Sequence, residues 1–74
     1  MTKEKFVELF VEELEIEDVT VTLDTELKTL EEWDSMGFMI TIGFVSDNFN
    51  KSITSKELES LETLNDLLDI IGLS

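Results

Sequence analysis

Apolar residues in the first fifteen positions recur at helical spacing. Phe6, Leu9, Phe10 and Leu14 form one stripe, widened by Val7 and Val11, while Glu4, Glu8, Glu12, Glu13 and Glu15 complete an acidic outer surface. The pattern predicts a helix from about Lys3 to Glu15 with Thr2 as its N-cap. From Glu17 to Leu23 the period changes: Val19, Val21 and Leu23 alternate with Asp18, Thr20 and Thr22, a strand signal. A lone strand has no obvious partner in this chain. Ile16 to Trp33 is therefore read as a long ordered loop pegged to the core by Val21, Leu23, Leu27 and Leu30. A second helix is predicted from Ser35 to about Phe49, with Asp34 as its N-cap. At about 100° per residue, Phe38, Ile42, Val45 and Phe49 share a narrow arc, the predicted core stripe. Met36, Ile40, Gly43 and Asp47 fall opposite, flanked by Met39 and Phe44, so the face turned away from the core is apolar as well.

Asn48 and Asn50 suit a helix end and turn. Thr54 with Glu57 three residues on is a capping-box pattern, predicting a short third helix that carries Leu58 and ends near Ser60. Thr63 with Asp66 repeats it for a last helix, with Leu64, Leu67, Leu68 and Ile71 inward and Gly72 as its stop. The expectation is an all-α fold: a small four-helix bundle of three main helices plus a short third, with a long ordered loop between helices one and two. It forms a single domain over residues 1–74.

Charge narrows the function. Eighteen acidic residues stand against five basic ones, a formal net charge of −13, which repels nucleic acid and attracts partners with basic surfaces. Cysteine, histidine and tyrosine are absent, so the commonest nucleophile–base pairs cannot be assembled, and the chain is not expected to be an enzyme. No apolar run approaches the roughly 20 residues that span a bilayer, and no membrane insertion is expected. Nothing marks export, so a cytoplasmic location is the default expectation, and separately the chain is expected to be a monomer.

The charge is unevenly placed: 12 of the 18 acidic residues lie in residues 1–34, and none lies between Ser35 and Ser46. The Asp34-Ser35 step that opens the uncharged segment has two readings. It is what a plain helix cap looks like. It is also a nucleophilic hydroxyl at a helix start, where free N–H groups and the dipole favour an anionic modification. The apolar outer face of helix two, Met36, Met39, Ile40 and Phe44, is either covered by neighbouring elements or a docking surface, for which methionines are suited by their flexibility. Gly37 and Gly43 each weaken the helix by about 1 kcal/mol relative to Ala, unless a close neighbour requires their small size. The acidic clusters have no calcium-loop spacing and read as solvated surface, with no metal site expected.

Taken together, Asp24-Thr25-Glu26-Leu27, Leu30-Glu31-Glu32-Trp33-Asp34-Ser35-Met36, Phe49 ahead of Ile53, and Thr63-Leu64-Asn65-Asp66-Leu67 resemble the acyl carrier protein family over nearly the whole chain. The resemblance implies a 4′-phosphopantetheine arm on Ser35, attached by a phosphopantetheinyl transferase, with Asp34 contributing to the transferase's metal site. It also implies a thioester-bound acyl or aminoacyl cargo, a loading ligase and downstream acyl-processing enzymes; the expected partner contacts along helix two are its outer-face residues Met36, Met39, Ile40 and Phe44, with Asp47. Carriers of fatty-acid synthesis usually display several carboxylates on helix two. The corresponding positions here hold Gly37, Ile40, Ser46 and Asn48, and Asp47 alone keeps a charge. Asp34-Ser35-Met36-Gly37 is similar to the same step in D-alanyl carrier proteins, which favours a specialised discrete carrier. The reading in a different class is an acidic helical adaptor or inhibitor that docks on a basic partner without a prosthetic group.

Overall fold

A computed structural model describes residues 1–73. Its described residues form α1 (Lys3–Leu14), α2 (Ser35–Phe49), α3 (Ser55–Glu59) and α4 (Leu64–Ile71), with one short 3-10 turn at Leu27–Thr29 and no strand. The caps explain these boundaries. Thr2 Oγ1 accepts the Lys5 N–H at 3.1 Å, and α1 ends where Glu15 turns into the left-handed region at φ 55°. Asn50, at φ 54°, ends α2, and Asn tolerates that conformation better than most residues. Thr54 and Glu57 form the reciprocal capping box of α3. The Asp66 carboxylate accepts the Glu62 and Thr63 N–H groups, both at 3.1 Å, at the start of α4. Gly72 ends that helix at φ 80°.

The core is made where α1 crosses α2. Phe6 packs against Phe44 and Phe49, both with ring centroids 5.7 Å apart, and Phe10 against Trp33 at 5.7 Å and Phe44 at 6.5 Å. The two helices therefore run antiparallel, with the N-terminal end of α1 beside the C-terminal end of α2. Leu58, Leu61, Leu64, Leu67, Leu68 and Ile71 close the other side.

Val21, Leu27 and Leu30 are buried pegs of the long loop, Leu23 is half-buried, and Ile16 and Trp33 are buried too. The alternating stretch forms no strand. What replaces strand pairing is a junction with α4. Glu26 and Thr63 form one isolated antiparallel bridge, the Leu27 N–H donates to the Glu62 carbonyl at 2.8 Å, and the Asn65 N–H donates to the Leu23 carbonyl at 3.0 Å. Asn65 Nδ2 adds a bond to Asp24 Oδ1 at 3.1 Å. Asp24-Thr25-Glu26-Leu27 and Thr63-Leu64-Asn65-Asp66-Leu67, distant in sequence, are one structural joint.

The rotation of α2 differs from the sequence expectation. Its buried residues are Gly37, Thr41, Phe44 and Val45, while Phe38, Ile42 and Phe49 are half-buried, so the buried arc is turned by roughly a quarter turn from the predicted stripe. The helix is apolar nearly all round, so periodicity alone fixes no rotation; Phe6 and Phe10 of α1 do so by engaging Phe44. Thr41 is accommodated in the core because its hydroxyl donates to the Gly37 carbonyl at 2.8 Å.

Self-repulsion should set the stability. Lys5–Glu8, at 3.7 Å with both side chains well exposed, is the one ion pair among the described residues, against a formal charge of −13. The molecule measures 29 × 25 × 19 Å. Raising NaCl from about 10 mM to about 1 M shortens the screening length from about 30 Å, the span of the whole molecule, to about 3 Å. Tm is expected to rise by roughly 5 °C or more across that range. A melting temperature indifferent to salt would show that the carboxylates do not strain the fold.

Candidate functional site

The start of α2 is built from three neighbouring features. Asp34, in extended conformation, caps the helix: its Oδ1 accepts the Gly37 N–H at 3.0 Å and its carbonyl accepts the Phe38 N–H at 2.8 Å. Ser35 is the first helical residue, and its side chain is exposed. Trp33, just before them, is buried against Phe10 and edge-on to Phe38 at 4.9 Å, anchoring the loop end. Its Nε1–H finds no protein partner among the described residues, and the ring contacts with Phe10 and Phe38 hold it.

Gly37 locks the loop onto the helix. A Cβ at this position would overlap the Glu32 carbonyl oxygen and touch Leu14, so the small residue serves a close approach within the chain itself. Gly43 is different: a Cβ there meets nothing within 4 Å. Gly43→Ala is expected to raise stability by about 1 kcal/mol. That corresponds to roughly 4–8 °C in Tm for a domain of this size. Gly37→Ala, with the same gain in helix propensity, is expected to lower it. Equal shifts for the two substitutions would show that the loop does not press on the helix at Gly37.

A groove of about 290 Å³ runs beside the helix start, between Leu14 and Glu15 at the end of α1, Glu31 and Glu32 of the loop, and Asp34, Met36, Gly37 and Ile40. Four carboxylate residues line it and no basic one does, which favours approach of a positively charged surface. Glu15 was invisible as a member of this group from sequence, because it lies nineteen positions from Asp34 and joins it only through the antiparallel return of α2.

The other sequence-nominated residues separate into two sets. Met36 and Met39 are exposed to 70% and 71%, Asp47 is exposed, and Ile40 is half-buried at the edge of the same face. Phe44 does not belong with them. It retains 5% exposure and packs between Phe6 and Phe10, so it is a core residue and not part of an outer docking face.

An acidic helical body with an exposed serine at the first turn of a long helix has the form of a carrier: one anchor point, an adjoining surface, and a core held by packing. The model of the phosphopantetheine attachment site family matches residues 4–71, and the chain belongs to that family. It is a phosphopantetheine carrier of the acyl carrier protein kind, a family defined by 4′-phosphopantetheine bound covalently to a serine and served by phosphopantetheinyl transferases and acyl-processing enzymes. No curated protein and no solved structure gives a significant match. No helix among the described residues is long and apolar enough to cross a membrane.

Proposed function

We propose that Ser35 is the attachment residue, and that the chain works as one carrier domain holding an acyl or aminoacyl group as a thioester for partner enzymes. The observation that carries this is the placement of Ser35: an exposed hydroxyl on the first residue of α2, in a chain matched by the family model almost throughout. The residues present suit a phosphodiester. Asp34 takes up the Gly37 N–H, and the Ser35 and Met36 N–H groups, in the first turn, have no acceptor within the helix and stand at the positive end of its dipole. When attached, the arm supplies the thiol that a chain without cysteine lacks.

The chain's own part is to present and to be recognised. Ser35 offers the nucleophilic oxygen, and Asp34 stands beside it with one carboxylate oxygen committed to the cap. Met36, Met39 and Ile40 give partners an adaptable apolar surface, with Asp47 at its far end. The carboxylates beside Ser35 favour the approach of partners with basic surfaces to the helix start. The sparse charge of α2 supports a specialised carrier recognised there mainly through apolar contacts. Incubation with coenzyme A and a promiscuous phosphopantetheinyl transferase tests the attachment: the intact mass is expected to increase by one phosphopantetheine, and Ser35→Ala to abolish the gain. Failure of several transferases to modify the folded wild-type protein would favour the unmodified acidic adaptor.

A further inference from the structure

A second groove lies on the far end of α1, away from Ser35. Glu4, Val7 and Glu8 of α1 face Thr22, Leu23 and Asp24 of the loop across an open space of about 460 Å³. Half-buried Val7 and Leu23 give it an apolar floor, and Glu4, Glu8 and Asp24 give it an acidic rim. The loop wall is braced: the Thr22 N–H donates to Thr25 Oγ1 at 2.7 Å, and Asn65 holds both the Leu23 carbonyl and the Asp24 carboxylate. Lys5 reaches Glu8 only as an exposed pair at 3.7 Å, which leaves the rim strongly negative.

We infer that this groove is a second docking surface, fitted to a basic segment of a partner protein that inserts one aliphatic or aromatic side chain between flanking lysines or arginines. Charge complementarity selects the occupant. The rim is acidic, the floor is apolar, and the chain's acid is concentrated in α1 and the loop while α2 is nearly bare of it. The same charge disfavours a second copy of this chain. Because Phe6 lies against Phe49, this end of α1 is level with the C-terminal end of α2, and Ser35 lies at the other end of a helix about 20 Å long. A partner held here leaves the helix start free for a second enzyme and raises the effective concentration of the two for each other. The inference does not depend on attachment at Ser35, which the groove does not include.

The test is a titration of the ¹⁵N-labelled protein, unmodified, with an acetylated and amidated Lys-Arg-Leu-Lys-Arg peptide. Amide shifts are expected to centre on Glu4, Val7, Glu8, Leu23 and Asp24. Replacing the peptide leucine by glycine should weaken binding. Glu4→Gln combined with Glu8→Gln is expected to weaken it roughly fivefold, and Glu59→Gln combined with Asp69→Asn, an equal charge change elsewhere, less than roughly twofold. Equal losses in the two double variants would overturn the inference by showing general charge attraction. Shifts centred on Glu15, Glu31, Glu32 and Asp34 would overturn it by moving the site to the helix start. A concentration-dependent dimer that shifts the groove amides without peptide would overturn it by assigning the groove to self-association. Melting temperatures of both double variants keep a folding defect distinct from lost binding.

Discussion

Replacing Phe44 by glutamate is expected to unfold the protein. The ring sits between Phe6 and Phe10, at 5.7 and 6.5 Å, and retains 5% of its exposure. Truncating a phenylalanine in such a position costs about 3–5 kcal/mol. A domain of this size has roughly 3–5 kcal/mol in total. A carboxylate there adds a desolvation penalty. Circular dichroism should show lost helix at 25 °C for Phe44→Glu, and at best a broad, lowered melt for Phe44→Ala. Met39→Glu provides the contrast. Met39 is 71% exposed, so the same chemical change should alter stability by less than about 0.5 kcal/mol. If the exposed face of α2 receives partners, Met39→Glu slows transferase loading by roughly tenfold while the spectrum stays native. A native spectrum for Phe44→Glu would contradict the packing of α1 on α2, and unchanged loading of folded Met39→Glu would remove the docking role of that face.

Ser35→Ala is expected to abolish phosphopantetheine attachment completely and leave the fold intact. The hydroxyl is exposed and makes no side-chain hydrogen bond among the described residues, and the cap comes from Asp34. Alanine is also the better helix former, so the substitution should be neutral to slightly stabilising. Any loss of loading is therefore loss of the nucleophilic oxygen and not of its setting. Ser46→Ala, at an exposed position on the same helix, should load like the wild type. A mass gain that survives Ser35→Ala would place the attachment on another residue. Asp34→Ala is a useful third member: it removes the N-cap, worth typically about 1 kcal/mol, so its melt separates the structural part of its effect from any loading defect.

Much of this was legible along the chain because its signals are local. Thr2, Asp34 and Thr54 mark helix starts through bonds three residues long, and Asn50 and Gly72 mark ends through backbone conformation. The stripe on α1 was readable because its polar face is densely charged, and the one on α4 because Leu64, Leu67, Leu68 and Ile71 repeat cleanly. Helix two gave no such contrast. With apolar residues on nearly every side, its pattern pointed to Phe38, Ile42 and Phe49, which are half-buried, and put Phe44 outside, where it is not. Gly37 and Thr41 carry no hydrophobic signal and still lie on the buried arc, one for its small size and one because its hydroxyl returns to the Gly37 carbonyl.

The loop shows the same division. Its apolar pegs could be read off, but not that Leu23, Asp24 and Leu27 join the start of α4, since hydrogen bonds between residues some forty positions apart leave no periodic trace. By itself the sequence determined the helices, their caps, the acidic surface and the serine that opens α2, all set by interactions within a turn or two of chain. Only the tertiary structure decided which side of α2 faces the core, which acidic residues gather beside Ser35, and where the second groove opens. Those depend on which surfaces fit together, and for a helix apolar on all sides that choice belongs to Phe6 and Phe10 of its neighbour.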